Sequence, residues 1–320
     1  MKTWDLTTLG STMLSLTTEP GVPLLSSEGI RLDIAGAESN CAIALARLGK
    51  RVAWHSKVAR TPLGERIVSG IGAHGVDVSS VVWSESGRNE QMWVEAGLGE
   101  NRTVVTYDRA GAAVESFKIP EADLVALQDT TFFHVTGITP ALSEDCCNTI
   151  LNAVQGACAA GVRVSFDINY RAKLWEPSRA REVLSAIIGG IDVLFIGQDD
   201  LDTVWGRGGD PDHEVHFLQE EFGIRNVVLT QGSRGARALL GDQMHEHGAY
   251  SGEVVSPIGA GDAFAAGVLY SLMEEEVDLA LKRGCAMAAL ARESRSDYVV
   301  GGKEALEARM GNGGEKNLSR

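Results

Sequence analysis

Cysteine is scarce in this chain and poorly placed for metal or disulfide chemistry. The five cysteines, at 41, 146, 147, 158 and 285, lack metal-ligand spacing, two of them are adjacent, and their number is odd. Free thiols in a reducing cytoplasm are the simplest account. Positive charge is in deficit: 29 Lys and Arg against 43 Asp and Glu leave a net charge of −14. That argues against nucleic acid and anionic membrane as partners. It does not bar an anionic small molecule, since local basic residues decide that. Long apolar runs are missing too. The N-terminal Met1-Lys2-Thr3-Trp4-Asp5 has no apolar signal core, and no run approaches the ~20 residues of a membrane span. A soluble, cytoplasmic protein is expected. The seven histidines form no ligand pairs at helical spacing, so each reads as a packing or surface residue and no side-chain metal site is expected. Neither an internal repeat nor a linker divides the chain.

What is present is bulk and rhythm. A chain of 320 residues that is 44% hydrophobic can bury a large core. Leu6 to Leu16 reads as a strand broken by Gly10, and an alanine-rich helix after Asn40 ends at Gly49. Val52 to Val58 reads as a buried strand, 64–74 as a helix and 205–213 as a surface loop. Further strands are expected at 131–135, 162–168, 193–196 and 226–229, with helices between them from Ala122 onward. Such alternation implies a parallel sheet covered on both faces. Gln91 to Ala96 and Thr103 to Tyr107 flank Gly97-Leu98-Gly99-Glu100-Asn101 and read as a hairpin outside that rhythm. The extended pieces near 11–36 and 88–112 are expected to form a small lid sheet over the carboxyl ends of the main strands. Residues 1–310 then make one α/β domain, with 311–320 a polar tail.

The most informative stretch is Val254-Val255-Ser256-Pro257-Ile258-Gly259-Ala260-Gly261-Asp262-Ala263. Two β-branched residues are expected to end a strand, and Asp262 to open a helix after the glycine turn. Small residues at 259–263 let backbone N–H groups converge at a helix N-terminus, where an anion is attracted. The bland alternative is an Asp helix cap. The stretch resembles the second signature of the ribokinase-like (PfkB) carbohydrate kinases, Asp-Thr-x-Gly-Ala-Gly-Asp, with Ser256 and Pro257 departing from it. The resemblance implies a three-layer α/β/α sandwich with a mostly parallel sheet and a β lid. It implies that Asp262 is the base taking the proton from a sugar hydroxyl, and that the amides of Gly259, Ala260 and Gly261 hold the phosphoryl group.

Other motifs extend the likeness. Ala35-Gly36-Ala37-Glu38-Ser39-Asn40 resembles the first signature, implying that Gly36, Ala37 and Asn40 meet the sugar; a capped helix start is the alternative. The usual Gly-x-Asp-x-x-Gly is reduced to Gly64, with Thr61 at the Asp position. Thr106-Tyr107-Asp108-Arg109 ends a lid strand, and strand period puts Tyr107 and Arg109 on one face; a surface ion pair is the alternative. With His134 to Ser143 and Asp167-Ile168-Asn169-Tyr170-Arg171, the pattern is similar to the 2-keto-3-deoxygluconate kinase branch over residues 5–305. Tyr107, Asp108, Arg109, Arg171 and Asp297 are then implied substrate contacts. Asn169 and Arg171 are also implied to face the nucleotide. Gly232 and Gly235 match a phosphate and adenosine loop whose Lys is Thr230 here; a turn between two strands is the alternative. Asp200 keeps the carboxylate of a Mg²⁺-organising motif whose Asn is Gly197, and Cys285 stands where an Asn often flanks adenine. The implied function is ATP- and Mg²⁺-dependent phosphorylation of a primary hydroxyl, with 2-keto-3-deoxygluconate the leading substrate. A kinase of a neutral sugar and a catalytically weak sugar binder remain as alternatives. A homodimer through the lid is also implied.

Overall fold

The computed structural model describes residues 2–98, 103–120, 124, 127 and 129–311. Part of the expected 97–101 turn, the restart at Ala122 and nearly all of the 311–320 tail lie outside them.

Runs of β-branched and apolar residues build one eight-stranded sheet. Its order is β14 (Gln243–His247), β13 (Ala236–Leu240), β12 (Asn226–Thr230), β11 (Val193–Gly197), β10 (Arg163–Asp167), β9 (Thr130–Thr136), β1 (Trp4–Leu9) and β4 (Val52–His55). From β4 through β12 every pair is parallel. The last two strands turn antiparallel, so the sheet is mostly rather than wholly parallel. Both faces are covered, which is why the central strands are buried along most of their length, polar Thr7, Thr8, His134 and Ser165 included, instead of alternating between buried and exposed. On one face lie α1 (Ala37–Arg47), α2 (Pro62–Gly72), α7 (Ala260–Met273), α8 (Ala280–Arg292) and α9 (Lys303–Gly311). On the other lie α3 (Glu144–Ala159), α4 (Pro177–Ile188), α5 (Gln198–Trp205) and α6 (Pro211–Phe222). Trp54, Phe132, Phe133 and Phe166 are wholly buried between these layers, each contributing about 1.5–3 kcal/mol of transfer free energy. Helix α7 is buried at every position from Ala263 to Leu272, as an apolar central helix must be.

The lid is a separate four-stranded sheet ordered β3 (Arg31–Ala35), β2 (Met13–Thr17), β7 (Gln91–Glu95) and β8 (Val104–Asp108). Two expected strands each divide in two. Gly10 donates to the His55 carbonyl at 3.1 Å and ends β1, after which the chain leaves the main sheet and re-forms as β2 in the lid. Val52 to Val58 splits into β4 and β5 (Lys57–Ala59), the latter pairing with β6 (Val82–Ser84).

One expectation fails outright and another in part. Val254 and Val255 end no strand: both are exposed, and the amides of Val255 and Ser256 bond the Arg292 carbonyl at the end of α8 instead. The segment 205–213 is loop only in the middle. Asp210 caps α6 by accepting from the amides of Asp212 and His213 at 3.1 and 3.3 Å, an Asp-Pro helix start.

Gly235 shows how the β12–β13 turn is built. Its φ is +98°, and a Cβ there would lie 2.0 Å from the His247 carbonyl oxygen. Gly235→Ala is therefore expected to destabilise the fold by about 1–3 kcal/mol through strain and overpacking. Equilibrium urea unfolding measures this, and an unchanged midpoint would contradict the steric account.

Candidate active site

The carboxyl ends of β10, β11 and β12, the N-termini of α1 and α7, and the underside of the lid enclose a cavity of about 480 Å³. This is where open α/β sheets bind ligands. Lid residues Met13, Ala35 and Met92 supply an apolar wall opposite the strand ends.

Asp262 lines this cavity. Helix α7 begins at Ala260, with Gly259 as N-cap in the left-handed region at φ +79°. A Cβ on Gly259 would lie 1.8 Å from the Asp297 carbonyl oxygen, so only glycine fits. A glycine cap has no side chain to satisfy the first helical amides, and these remain free to receive an anion. Asp262 falls in the first turn and is not the cap, contrary to the bland alternative. Its Oδ2 accepts from Asn40 Nδ2 at 2.8 Å. Burial pushes its carboxyl up to about 6, against the pull of the Asn40 bond, the Arg171 charge and Asn169.

Two further carboxylates line the same cavity, Asp167 at the end of β10 and Asp200 in α5. Burial, then Asp262 and Asp200, push Asp167 well above the usual carboxylate range, while Arg171 opposes this. Burial also raises Asp200, against the Tyr170 amide that donates to its Oδ2 at 3.1 Å. Asn169 adopts a left-handed φ of +42°, which Asn tolerates better than most residues. Crowded acids of this kind fit a divalent cation shared with a phosphate chain. Among the described residues no cluster of three or more His, Cys, Asp or Glu could hold a metal unaided.

The cavity also carries two arginines, and the charge of one of them, Arg171, acts on Asp167, Asp200 and Asp262. Arg109 and Arg171 both line the cavity, and the Arg109 guanidinium stacks over the Tyr107 ring at 4.7 Å. Arg109 is no exposed surface pair: its Nη1 donates to Glu90 Oε1 at 3.0 Å, with only 12% and 1% of the two side chains exposed.

Of the residues anticipated from sequence, Gly36, Ala37, Asn40, Tyr107, Arg109, Asn169, Arg171, Asp200, Thr230, Gly259, Gly261 and Asp262 line the cavity. Six do not. Asp108 faces away, because the alternation that turns Tyr107 and Arg109 inward turns it out to a bidentate pair with Arg88. Ala260 offers only its backbone. Gly232 and Gly235 form the β12–β13 turn, and Cys285 is buried with its thiol toward the His247 carbonyl. Asp297 is buried beside a smaller cavity, under the lid and near Ser256, and its backbone carbonyl abuts Gly259. Sequence reasoning passed over Asp167, although it begins the same Asp-x-Asn-x-Arg run. It also passed over Glu38, wholly buried, whose Oε1 accepts from Thr136 and Thr139 at 2.8 and 2.9 Å. Burial holds the Glu38 carboxyl up near 7. A glutamate inside a predicted helix start carries no sign that it will be buried.

Residues 5–300 match the pattern of the pfkB family of carbohydrate kinases. The chain belongs to that family. It is a sugar kinase, a phosphotransferase with an alcohol acceptor. Among similar proteins, the 2-dehydro-3-deoxygalactonokinase of Haloferax volcanii is 36% identical over 319 residues, covering 99% of this chain and 100% of that one. The 2-dehydro-3-deoxygluconokinase of Bacillus subtilis is 32% identical over 82% of each chain. The fold of this pfkB kinase is shared with the 2-dehydro-3-deoxygluconokinase of Thermotoga maritima (TM-score 0.90, 24% identity, 96% and 99% coverage). It is shared also with a putative ribokinase II of Escherichia coli solved with ATP and Mg²⁺ (TM-score 0.85, 20% identity, 97% and 99% coverage).

The geometry around Asp262 has a measurable consequence. Asn40→Ala removes a donor that favours the charged carboxylate, so Asp262 should titrate above its value of about 6. Carboxyl carbon-13 NMR across pH 4–9 reads this directly, and a downward shift would contradict the assignment of that bond.

Proposed function

We propose that this kinase transfers the γ-phosphoryl group of ATP to the primary hydroxyl of 2-keto-3-deoxygluconate. The observation that carries the reading is the polarity of the cavity. A carboxylate beside free helix amides shares the cavity with two arginines, Arg171 close to the acids and Arg109 just past lid strand β8, in a chain whose net charge is −14. A sugar acid carries a hydroxyl for the carboxylate base and a carboxylate for Arg109. A neutral sugar leaves Arg109 without an anionic partner. The Haloferax relative favours a second reading, the galactonate epimer, which differs in one hydroxyl and presents the same two groups.

In this mechanism Asp262 accepts the proton of the substrate hydroxyl as its oxygen attacks the γ-phosphorus, and ADP leaves. The raised carboxyl of Asp262 makes it a better proton acceptor than an exposed Asp while leaving it mostly charged at pH 7. The amides of Ala260, Gly261 and Asp262 stabilise the charge growing on the equatorial oxygens. Asn40 holds the base in place, and Arg171 offsets charge between the two substrates. Asp167 and Asp200 would hold Mg²⁺ through water and phosphate, where the ion neutralises phosphate charge. Thr230 borders the nucleotide end of the cavity, supplying a hydroxyl where the family pattern has an ammonium. A dimer through the lid belongs to the same reading: Leu25, Leu32 and Val104 are exposed there, Leu25 almost fully. Light scattering at micromolar concentration should give twice the chain mass, and a monomer would remove that part.

The function itself is tested by ADP release over a panel of sugars and sugar acids. Turnover should be highest with the keto acid and should fall by ~10²–10⁴ in Asp262→Asn. In Arg109→Met the donors are lost but most of the stem remains. A charge-assisted bond to carboxylate contributes about 1.5–3 kcal/mol, so kcat/KM for the acid should drop roughly tenfold to over a hundredfold. Neutral sugars should lose far less, and an unchanged acid-to-neutral ratio would overturn the keto-acid reading.

A further inference from the structure

The lid hairpin brings two oppositely charged residues together just past its paired end. Gln91 and Asp108 are the last register partners of β7 and β8, and the next facing pair is Glu90 and Arg109. The Glu90 backbone is fixed, because its carbonyl accepts from Leu14 of β2 at 3.0 Å. Its side chain is only 1% exposed, and Oε1 receives Arg109 Nη1 at 3.0 Å. On the other side the same guanidinium lies on the Tyr107 ring at 4.7 Å. Burial raises the Glu90 carboxyl, while Arg109 and the Ser11 hydroxyl favour its charged form.

A buried ion pair is a weak source of stability, because desolvation consumes most of the attraction. Its value here is directional. The guanidinium is a planar fork of five N–H donors, and Glu90 occupies one corner of it. Arg109 lines the cavity, and the donors that Glu90 does not take are left for a ligand there. Because the pair is neutral overall, Arg109 cannot attract an anion at long range. It recognises one only through donors held at the right angle.

We propose that Glu90 is a positioning residue that orients the Arg109 fork for a substrate carboxylate, and so sets the preference of this cavity for sugar acids. The inference rests on the keto-acid reading above. It extends that reading to a residue that no motif in the sequence points to.

The test uses the full-length enzyme with 2-keto-3-deoxygluconate and ATP, measuring KM for each and kcat. Glu90→Ala should raise KM for the acid about tenfold or more, with KM for ATP little moved and the loss falling on KM more than on kcat. Glu90→Gln keeps an acceptor at the same reach and should restore most of the acid KM. Should the alanine variant not fold, Glu90→Asp withdraws the carboxylate by one methylene and should raise the acid KM several-fold. An unchanged acid KM in the alanine or aspartate variant overturns the proposal, as does a matching rise in the KM for ATP. A glutamine variant no better than alanine also overturns it, since charge and not orientation would then be at work. Wild-type enzyme inactive on every sugar acid overturns the functional reading, and this proposal with it. An active wild type with an indifferent Glu90 overturns this proposal alone.

Discussion

One hydrogen bond, from Asn40 Nδ2 to Asp262 Oδ2, joins the first βα unit of the chain to its last, across 222 residues. Much of the architecture is a condition for that contact. The strand that leads out of the lid must end at Ala35 so that α1 starts beside the cavity, and α7 must lie next to α1 on the same face of the sheet. Closing so long a loop costs only slightly more entropy than closing a short one, because the cost grows with the logarithm of length. What stabilises the closure is burial of α7 along ten consecutive residues. The chemistry at Asp262 therefore draws its geometry from the hydrophobic core and not from local sequence alone.

The same burial sets the charge state of the site. A carboxylate placed where water is scarce is pushed toward its neutral form, and Asp262 would drift further without a donor and a nearby cation. Asn40, Asn169 and Arg171 limit that drift, and Asp167 beside it is also pushed up, by burial and then by Asp262 and Asp200. Crowding three acids together is costly in the empty protein and becomes favourable once cationic charge enters with a phosphate chain. On the proposed reading, the acids await a metal-bound nucleotide and Arg109 awaits a carboxylate.

Much of this could be read in the residues. The alternation of apolar strands and helices gave the sheet, and the break in that rhythm near residues 11–36 and 88–112 gave the lid. Asp262 stood out as an acid beside a glycine turn at a helix start, and the chain's likeness to the family signatures extended the assignment to Asn40 and Arg171. What escaped the sequence escaped for physical reasons. Val254 and Val255 have strand propensity, yet they join no strand, and the Arg292 carbonyl takes the amides of Val255 and Ser256. Asp108 was grouped with its neighbours although its own alternation turns it outward to Arg88. Glu38 and Glu90 look like ordinary surface acids in one dimension, and only the packing around them shows that both are buried. Long-range pairing decides such positions, and no local pattern encodes it.

The departures from the family pattern bear on whether the site is catalytic or only a binding remnant. Those at Thr61, Gly197, Thr230, Ser256, Pro257 and Cys285 change side chains, and of the six Gly197, Thr230 and Pro257 line the cavity. Thr61 has taken up a different task, capping α2 by accepting from the Gly64 amide at 3.1 Å. The parts that would stabilise the transferring phosphoryl group are main-chain amides at the start of α7, and these depend on Gly259, on the Asp297 carbonyl packed against it, and on the buried helix behind. All of these are in place. A site decaying toward simple binding would be free to lose first the features that binding does not need, the base and the strained glycine cap. Here the substitutions lie elsewhere, and the base keeps both its burial and its donor. That distribution favours an enzyme whose nucleotide contacts have been re-made with different side chains over a binder that has lost its chemistry.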